Sequence, residues 1–233
     1  MINLLVYGRN SVYEYLIKNE VKKLYLLKGF KDNKILSLTD GVNVKYLDKF
    51  SMDKMCNGVH QGILAEVADF DYTPLEDVIE GKDDCTLIIL DHLEDPHNLG
   101  AIIRTSEAAG MDGIVIPNKR SVEVNATVLK TSVGATKNIP VSMVVNIRNT
   151  IDYLKKEGFW IVGTDMNGTN YTEIDYKGKI AIVIGNEGNG MSDLVKKSCD
   201  FIVSIPMYGK VNSLNASVSA GVMIYEVVRQ KKG

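Results

Sequence analysis

Six short apolar runs follow one another after residue 84, and polar stretches with helical spacing separate them. The runs are TLIIL, GIVIP, PVSMVV, WIVGT, IAIVIG and FIVSIP. Continuous apolar strands of this kind are typical of parallel sheets that are covered on both faces. The helical stretches are NLGAIIRTSEAAG, NATVLKTSVGAT, IRNTIDYLKKEG, SDLVKKS and the terminal NASVSAGVMIYEVVRQKK. Residues 85–233 are therefore predicted to form an α/β domain with a mostly parallel sheet and helices on both faces.

Residues 1–70 have shorter elements and predict a separate small α/β domain. Strands are expected at KLYLL, NVKYL and GILAEVADF, and helices at NSVYEYLIKN, NKILSLT and SMDKMCN. The stretch 71–84 contains Pro74 and a run of acidic residues, which indicates a linker with a short helix. The last helix of the chain is expected to be buried. Its apolar stripe consists of Leu214, Val218, Val222, Tyr225 and Val228.

The composition narrows the classes of function. Of the 233 residues, 45% are hydrophobic and 24% are charged, as in ordinary globular proteins. A formal net charge of −2 argues against nonspecific coating of nucleic acid, but it allows RNA recognition by a local basic patch. No apolar run reaches the roughly 18 residues of a membrane span. The N-terminal stretch MINLLVYGRNSVYEYL lacks the pattern of a secretory signal, so a cytoplasmic location is expected.

Cysteine and histidine positions predict no metal site. Three scattered cysteines form neither a disulfide framework nor a zinc motif, and the three histidines lack metal-ligand spacing. We therefore expect reduced thiols and no metal ion. The residues concerned are Cys56, Cys85, Cys199, His60, His92 and His97.

The loops that follow the apolar runs carry the candidate chemistry, because ligands of doubly wound sheets bind beyond the carboxyl ends of the strands. After TLIILDHL comes EDPHNLGAIIRTSEAAG, in which Asn98 is the predicted helix N-cap and Gly110 the C-cap. Gly100 would cost this helix about 1 kcal/mol, so it indicates a close approach of ligand or backbone. Arg104 lies further along the helix. Taken alone, it could also be a surface arginine of a capped amphipathic helix.

Two later loops are rich in glycine, asparagine and serine. After IAIVIG comes NEGNGMSDLV, with Gly185, Gly188 and Gly190 close together. This is neither the dinucleotide fingerprint nor a P-loop, but it lets the backbone approach a ligand. After FIVSIP comes MYGKVNSLNASVSAG, in which Ser213 or Asn215 is the predicted N-cap. Taken alone, these loops also fit a tight turn and a capped helix whose small residues pack closely.

Together, the three loops resemble the SpoU (TrmH) family of RNA ribose 2′-O-methyltransferases, within the SPOUT superfamily. The resemblance rests on NLGAIIRT, IGNEGNGM and IPMYGKVNSLNASVSAG, and it extends from about Cys85 to the C-terminus. In the N-terminal part, YGRNSVYEYL and NGVHQGILAEV resemble a small substrate-binding domain. That domain is found in the bacterial subgroup that methylates a guanosine of large-subunit ribosomal RNA.

The resemblance implies a cofactor, a fold and a set of site residues. S-adenosylmethionine is expected in a deep trefoil knot formed by the C-terminal part of the sheet, and the chain is expected to form a homodimer through the knot region. The residues expected at the cofactor are Gly185, Asn186, Gly188, Ile205 and Leu214. The residues expected to catalyse, or to orient the catalytic groups, are Arg104, Asn98, Glu187, Ser213 and Asn215.

The matching arginine leaves two chemical roles open, because arginine is a poor base. An RNA phosphate could help Arg104 to take the proton of the ribose hydroxyl. Alternatively, Arg104 could hold the phosphate and lower the pKa of that hydroxyl electrostatically. Glu187 is a second candidate for the proton acceptor.

The substrate also leaves alternatives. The leading hypothesis is 2′-O-methylation of a guanosine in large-subunit (23S) ribosomal RNA. The same chemistry on transfer RNA, or on a ribosomal adenosine as in resistance-type methylation, is a near alternative. A non-catalytic RNA-binding or ribosome-assembly protein is a different class. A dehydrogenase is excluded, because no G-x-G-x-x-G follows the first buried strand.

Overall fold

The computed structural model describes residues 4–56, 58–68 and 70–233. The chain divides into two compact units, Met1–Asp71 and Tyr72–Gly233. Each unit has its own sheet. Within the described ranges, no helix combines the length and the apolar character that crossing a membrane requires.

The first unit contains a four-stranded sheet of order β1-β4-β2-β3, with one parallel pair, β2 with β3, and two antiparallel pairs. Its strands are β1 (Leu4–Tyr7), β2 (Val21–Leu27), β3 (Val44–Leu47) and β4 (Ile63–Val67). Its helices are α1 (Arg9–Leu16), α2 (Asn33–Leu36) and α3 (Lys49–Asp53). Strand β1 is absent from the sequence prediction, because it has only four residues and runs directly into α1.

Each face of this small sheet has its own core. On one face, Val12 of α1 and Ile35 of α2 pack with buried residues of the strands, including Leu24. On the other face, Met52 of α3 packs with Tyr25 and Leu64. Because the strands are covered on both sides, short elements suffice to hold this unit together.

The second unit contains a six-stranded sheet of order β10-β8-β9-β5-β6-β7, in which every pair is parallel. This confirms the predicted α/β fold, and each of the six apolar runs contains a strand. The strands are β5 (Cys85–Asp91), β6 (Gly113–Pro117), β7 (Val141–Val144), β8 (Trp160–Asn170), β9 (Lys179–Gly185) and β10 (Phe201–Ser204). The helices are α4 (Leu75–Ile79), α5 (Pro96–Ala109), α6 (Ala126–Thr131), α7 (Ile147–Lys156), α8 (Asp193–Ser198) and α9 (Ala216–Lys232).

The segment predicted as a linker contains α4. Leu75, Val78 and Ile79 are buried in the same hydrophobic cluster as strand residues of the large sheet, and the Thr73 N–H donates to the Val141 carbonyl at 3.0 Å. By its packing, the stretch from Thr73 onward therefore belongs to the second unit.

The beginning of α5 differs from the sequence prediction, whereas its end agrees with it. The N-cap of α5 is Asp95, whose carboxylate accepts from the His97 N–H at 2.9 Å. The prediction that Asn98 caps this helix is wrong, because Pro96 already occupies the first helical position and the chain turns earlier. Gly110 ends the helix at φ 73°, as predicted.

The stripe predicted for the last helix does not coincide with its buried face. Val218 is 50% exposed and Tyr225 is 54% exposed. The buried face of α9 instead carries Ala216, Ala220, Met223, Ile224, Glu226 and Val227. The small residues let α9 pack closely, and the large apolar side chains of the stripe are left on the outside.

A buried carboxylate anchors the end of this helix. Glu226 accepts from the Arg229 guanidinium at 2.7 Å and from Gln230 Nε2 at 2.7 Å. The hydrogen bonds from Arg229 hold the pKa of the Glu226 carboxyl below its usual value. Gln230 also bonds the backbone of the segment before β9, so it fixes where α9 lies on the second unit.

Candidate active site at the carboxyl ends of the large sheet

The strand order reverses between β5 and β9, and a cavity of about 800 Å³ lies on the β9 side of this point, at the carboxyl ends of β9, β8 and β10. Strands β6 and β7 lie on one side of β5 in the sheet, and β9, β8 and β10 lie on the other side of it. Such switch points are where ligands bind in open α/β sheets. The wall of the cavity comes from Thr164–Asn167 of β8, from Ile184–Gly190, from Val203–Leu214 except Tyr208, and from Ala216 and Ser219 of α9.

The loop after β9 is a tight, internally bonded turn. Asn186 and Gly190 exchange two backbone hydrogen bonds of 3.0 Å, and Asn186 Oδ1 accepts from the Gly188 N–H at 2.8 Å. A Cβ atom at Gly185 would lie 2.3 Å from the carbonyl carbon of Gly190. Only glycine fits there, so Gly185 lets the turn fold back onto the end of β9.

One side-chain hydrogen bond joins the first and second loops of the sequence analysis. Asn98 is buried on α5, and its Nδ2 donates to Glu187 Oε1 at 2.7 Å. Glu187 itself is exposed and lines the cavity. The bond therefore holds one oxygen of an exposed carboxylate in place at the cavity wall.

Asp91, at the end of β5, holds the second loop in place and is missed by the sequence analysis. Its buried carboxylate accepts from the Ser192 N–H at 2.7 Å and from the Ser192 hydroxyl at 3.0 Å, and its other oxygen lies 2.6 Å from His92 Nδ1. The His92 carbonyl accepts from Asn186 Nδ2 at 2.8 Å. The available signal was an acidic residue at the end of an otherwise apolar strand.

The third loop contributes both cavity wall and helix cap. Ile205, Ser213 and Leu214 line the cavity. Asn215 is the N-cap of α9, and its Oδ1 accepts from the N–H groups of residues 217 and 218. Its side chain therefore has a structural role at the beginning of the helix, and Asn215 is absent from the lining of the cavity.

Arg104 does not line the cavity of its own chain. It lies six residues after Asn98, which is a rotation of about 240° around the helix axis, so the two side chains project from different faces of α5. The Arg104 side chain is exposed, and among the residues that the structure describes no carboxylate pairs with it. The structure thus brings Asn98 and Glu187 together and leaves Arg104 apart from them.

Asp165, an ionisable residue in the cavity wall, forms an ion pair with Lys196. Burial alone would raise the pKa of Asp165, but hydrogen bonds from Lys196 and from the Asn167 N–H hold it below its usual value.

In the part of the chain that the structure covers, no three His, Cys, Asp or Glu side chains are grouped so that they could hold a metal ion.

Two family models match this chain. The model described as the SpoU rRNA Methylase family matches residues 86–225, which contain the three loops singled out in the sequence. The model described as RNA 2′-O ribose methyltransferase substrate binding matches residues 5–73.

Relatives and solved structures agree with these models. YacO of Bacillus subtilis, a provisionally named TrmH family tRNA/rRNA methyltransferase, is 43% identical over 239 residues, covering 97% of this chain and 95% of that protein. The SpoU methyltransferase AviRb from Streptomyces viridochromogenes, solved in complex with AdoMet, has a TM-score of 0.78 at 24% identity and covers 98% of this chain and 90% of its own. The TrmH/SpoU tRNA modifying enzyme of A. aeolicus has a TM-score of 0.60 at 30% identity, covering 68% of this chain and 81% of its own. The resemblance drawn from the three loops is thereby confirmed: the chain belongs to the SpoU rRNA Methylase family of RNA methyltransferases.

Proposed function

We propose that this protein transfers the methyl group of S-adenosylmethionine to the 2′-oxygen of a guanosine ribose in large-subunit ribosomal RNA. The observation that carries the proposal is the cavity at the carboxyl ends of β8, β9 and β10, at whose wall the Asn98–Glu187 hydrogen bond joins two loops. The family gives RNA methylation. We add to this the choice of guanosine and of ribosomal RNA. The first unit supports that choice, because it matches the substrate-binding model.

The cavity has the size and the wall that a nucleoside cofactor requires. Its volume of about 800 Å³ lies within the usual range of roughly 300–1,000 Å³ for ligand pockets. Gly185 and Gly188 expose backbone without side-chain obstruction, and Ile205 and Leu214 add apolar surface. Asn186 holds the glycine turn from within. We propose that these five residues bind S-adenosylmethionine, and that the segments of β8, the β9–α8 loop and the β10–α9 loop around it form a trefoil knot.

The sulfonium methyl of the bound cofactor is already an activated electrophile, so the protein must chiefly position the ribose oxygen and remove its proton. Positioning alone can lower a barrier by roughly 7–11 kcal/mol. Glu187 is the exposed carboxylate at the cavity wall, and Asn98 fixes one of its oxygens. Glu187 can therefore orient the ribose hydroxyl or accept its proton, and Ser213 lies in the same wall.

We further propose a homodimer in which Arg104 acts at the cavity of the partner. Arg104 is exposed on α5, away from its own cavity, and the exposed apolar side chains of Val218 and Tyr225 lie on α9. A Cβ at Gly221 of α9 would lie 3.9 Å from Thr105 Cγ2, so the two helices run side by side next to Arg104. A second copy that covered this apolar face would bury it and would bring a cation toward the partner's ribose or phosphate.

The test is methyl transfer from labelled S-adenosylmethionine to deproteinised large-subunit ribosomal RNA and to bulk transfer RNA, with wild type and Arg104→Ala. We expect ribosomal RNA to be labelled by wild type and labelling to be nearly lost in the variant. Label in transfer RNA alone would overturn the substrate. No label in either RNA, with folded protein, would overturn the proposed reaction.

Digestion of the labelled RNA to nucleosides identifies the base and the position. Recovery of 2′-O-methylguanosine supports the full proposal. Recovery of 2′-O-methyladenosine would overturn the guanosine, and a base-methylated nucleoside would overturn ribose methylation.

A further inference from the structure

Tyr208 is the most exposed large apolar side chain among the residues that the structure describes, at 95%. Its chain neighbours Met207 and Gly209 both line the cavity, whereas Tyr208 does not, so its backbone lies at the cavity edge and its ring is turned to solvent. A tyrosine ring can bury about 150–250 Å² when it packs. Tyr208 gains almost none of this within the chain, so its ring is available to a ligand.

Lys210 is the single cationic side chain among the lining residues. The two carboxylates in the wall already have partners: Asp165 is 2.8 Å from Lys196 Nζ, and Glu187 accepts from Asn98. Within the described ranges, no carboxylate forms an ion pair with Lys210. The cavity wall therefore carries an exposed positive charge that no carboxylate of the described residues neutralises.

The segment that holds both side chains is a loop between two anchored elements. Residues 205–215 form neither helix nor strand, although they are fixed at one end by β10 and at the other by the Asn215 cap of α9. The residues that line the cavity include no aromatic side chain, so Tyr208 is the aromatic residue next to it in this loop. An aromatic ring and a cation thus stand two residues apart on a loop between two anchored elements.

A ribose whose 2′-oxygen enters the cavity brings a phosphate and a base with it, because the 3′-phosphate is attached to the neighbouring ribose carbon. Proteins recognise unpaired RNA by stacking bases on aromatic rings and by placing cations at phosphates. We propose that Tyr208 stacks on an unpaired base at or next to the methylated nucleotide, and that Lys210 binds the adjoining phosphate. This inference rests on the proposed function and assigns it a substrate-docking loop.

The experiment compares Tyr208→Ala, Tyr208→Phe and Lys210→Gln with wild type. Two readouts use deproteinised large-subunit ribosomal RNA: kcat/KM for methyl transfer, and RNA dissociation constants from filter binding. A third is the dissociation constant for S-adenosylmethionine alone. Matched controls are Trp160→Ala, an aromatic side chain 55% exposed at the amino end of β8, and Lys177→Gln, an exposed lysine before β9.

We expect Tyr208→Ala to lower kcat/KM for RNA by about 5- to 150-fold, as for loss of one stacked base, and Tyr208→Phe to retain most of it because the ring remains. Lys210→Gln should weaken RNA binding and reduce the slope of log affinity against log salt by about 0.7, as for one lost phosphate contact on a single strand. Affinity for S-adenosylmethionine should stay unchanged in all variants. The two controls should match wild type.

Other outcomes overturn this inference. RNA affinity and kcat/KM unchanged in Tyr208→Ala would remove the stacking role. Weaker S-adenosylmethionine binding in Lys210→Gln would assign the lysine to the cofactor instead, and loss of the dimer in light scattering would assign the loop to a partner copy. The proposed function fails separately, if wild type transfers no methyl group. Filter binding would then still decide whether Tyr208 and Lys210 contact RNA.

Discussion

Arg104 and Glu187 lie in different places within one chain, which predicts how two inactive variants behave when mixed. Glu187 lies at the cavity and is held by Asn98, whereas Arg104 projects from another face of the 14-residue helix α5. If both groups act on one ribose, the proposed dimer must combine Glu187 of one protomer with Arg104 of the other. The perturbation uses two single variants, Arg104→Ala and Glu187→Gln. Each is inactive as a homodimer, and the two are then combined in mixed dimers.

The expected magnitude follows from two-fold symmetry. Random mixing of the two variants gives half mixed dimers, and each mixed dimer has one site with both groups and one site with neither. Recovered activity is therefore about 25% of wild type, and purified mixed dimers reach about 50%. If each site used groups from one chain alone, every site in the mixture would lack one group and the activity would stay at the parental level.

The assay co-expresses the two variants with different affinity tags and isolates mixed dimers by successive purification on both tags. Methyl transfer to ribosomal RNA is then compared with each parental variant and with wild type carrying the same two tags. Glutamine replaces Glu187 because it can still accept from Asn98 through its amide oxygen, so the loop should remain folded. Mixed dimers as inactive as their parents would refute the shared site, and a fully active Arg104→Ala parent would refute the role of the arginine.

Three further predictions concern the second unit. Gly185→Ala should lower the melting temperature and abolish S-adenosylmethionine binding in calorimetry, because its Cβ would lie 2.3 Å from Gly190 and overpacking costs about 1–3 kcal/mol; normal binding would contradict the close turn. Burial raises the pKa of the Cys85 thiol to about 11, so iodoacetamide at neutral pH should modify it in unfolded but not in native protein, as read by mass spectrometry; fast native labelling would contradict this. The pKa of Glu226 is lowered by Arg229, so its stabilisation is present above the unfolded pKa and is lost as pH falls through the folded one. Glu226→Gln should therefore be less stable than wild type at neutral pH, with a gap that narrows below about pH 4 in chemical denaturation.

The large sheet was predictable from sequence because its strands are buried on both faces. Each strand reads as a continuous apolar run, and runs such as IAIVIG have few alternatives to a central parallel strand. The four-residue strand β1 offers too little pattern to separate it from the helix that follows. Pattern alone could not place the first residue of α5. Asp95 and Asn98 are both good N-caps, and the position of Pro96 decides between them.

The outward stripe of α9 shows a second limit. Apolar periodicity identifies a face that avoids water, but it does not say whether the covering surface belongs to the same chain. Ala216 and Ala220 form the intrachain contact because small side chains allow close packing, and Val218 and Tyr225 are left exposed. The prediction that this apolar stripe is the buried face of α9 is therefore wrong, because the buried face carries other residues.

The geometry of the candidate site depends on strand register more than on any single loop. Asp91 lies opposite Gly185 in the β5–β9 pair. From there hydrogen bonds join three pairs of sequence-distant residues: Asp91 with Ser192, the His92 carbonyl with Asn186, and Asn98 with Glu187. A slip of one residue between β5 and β9 would turn alternate side chains to the opposite face and break all three pairs together. The pairing of two buried apolar strands thus fixes where the exposed carboxylate of Glu187 stands, which explains why a polar site of this kind follows the most hydrophobic runs of the chain.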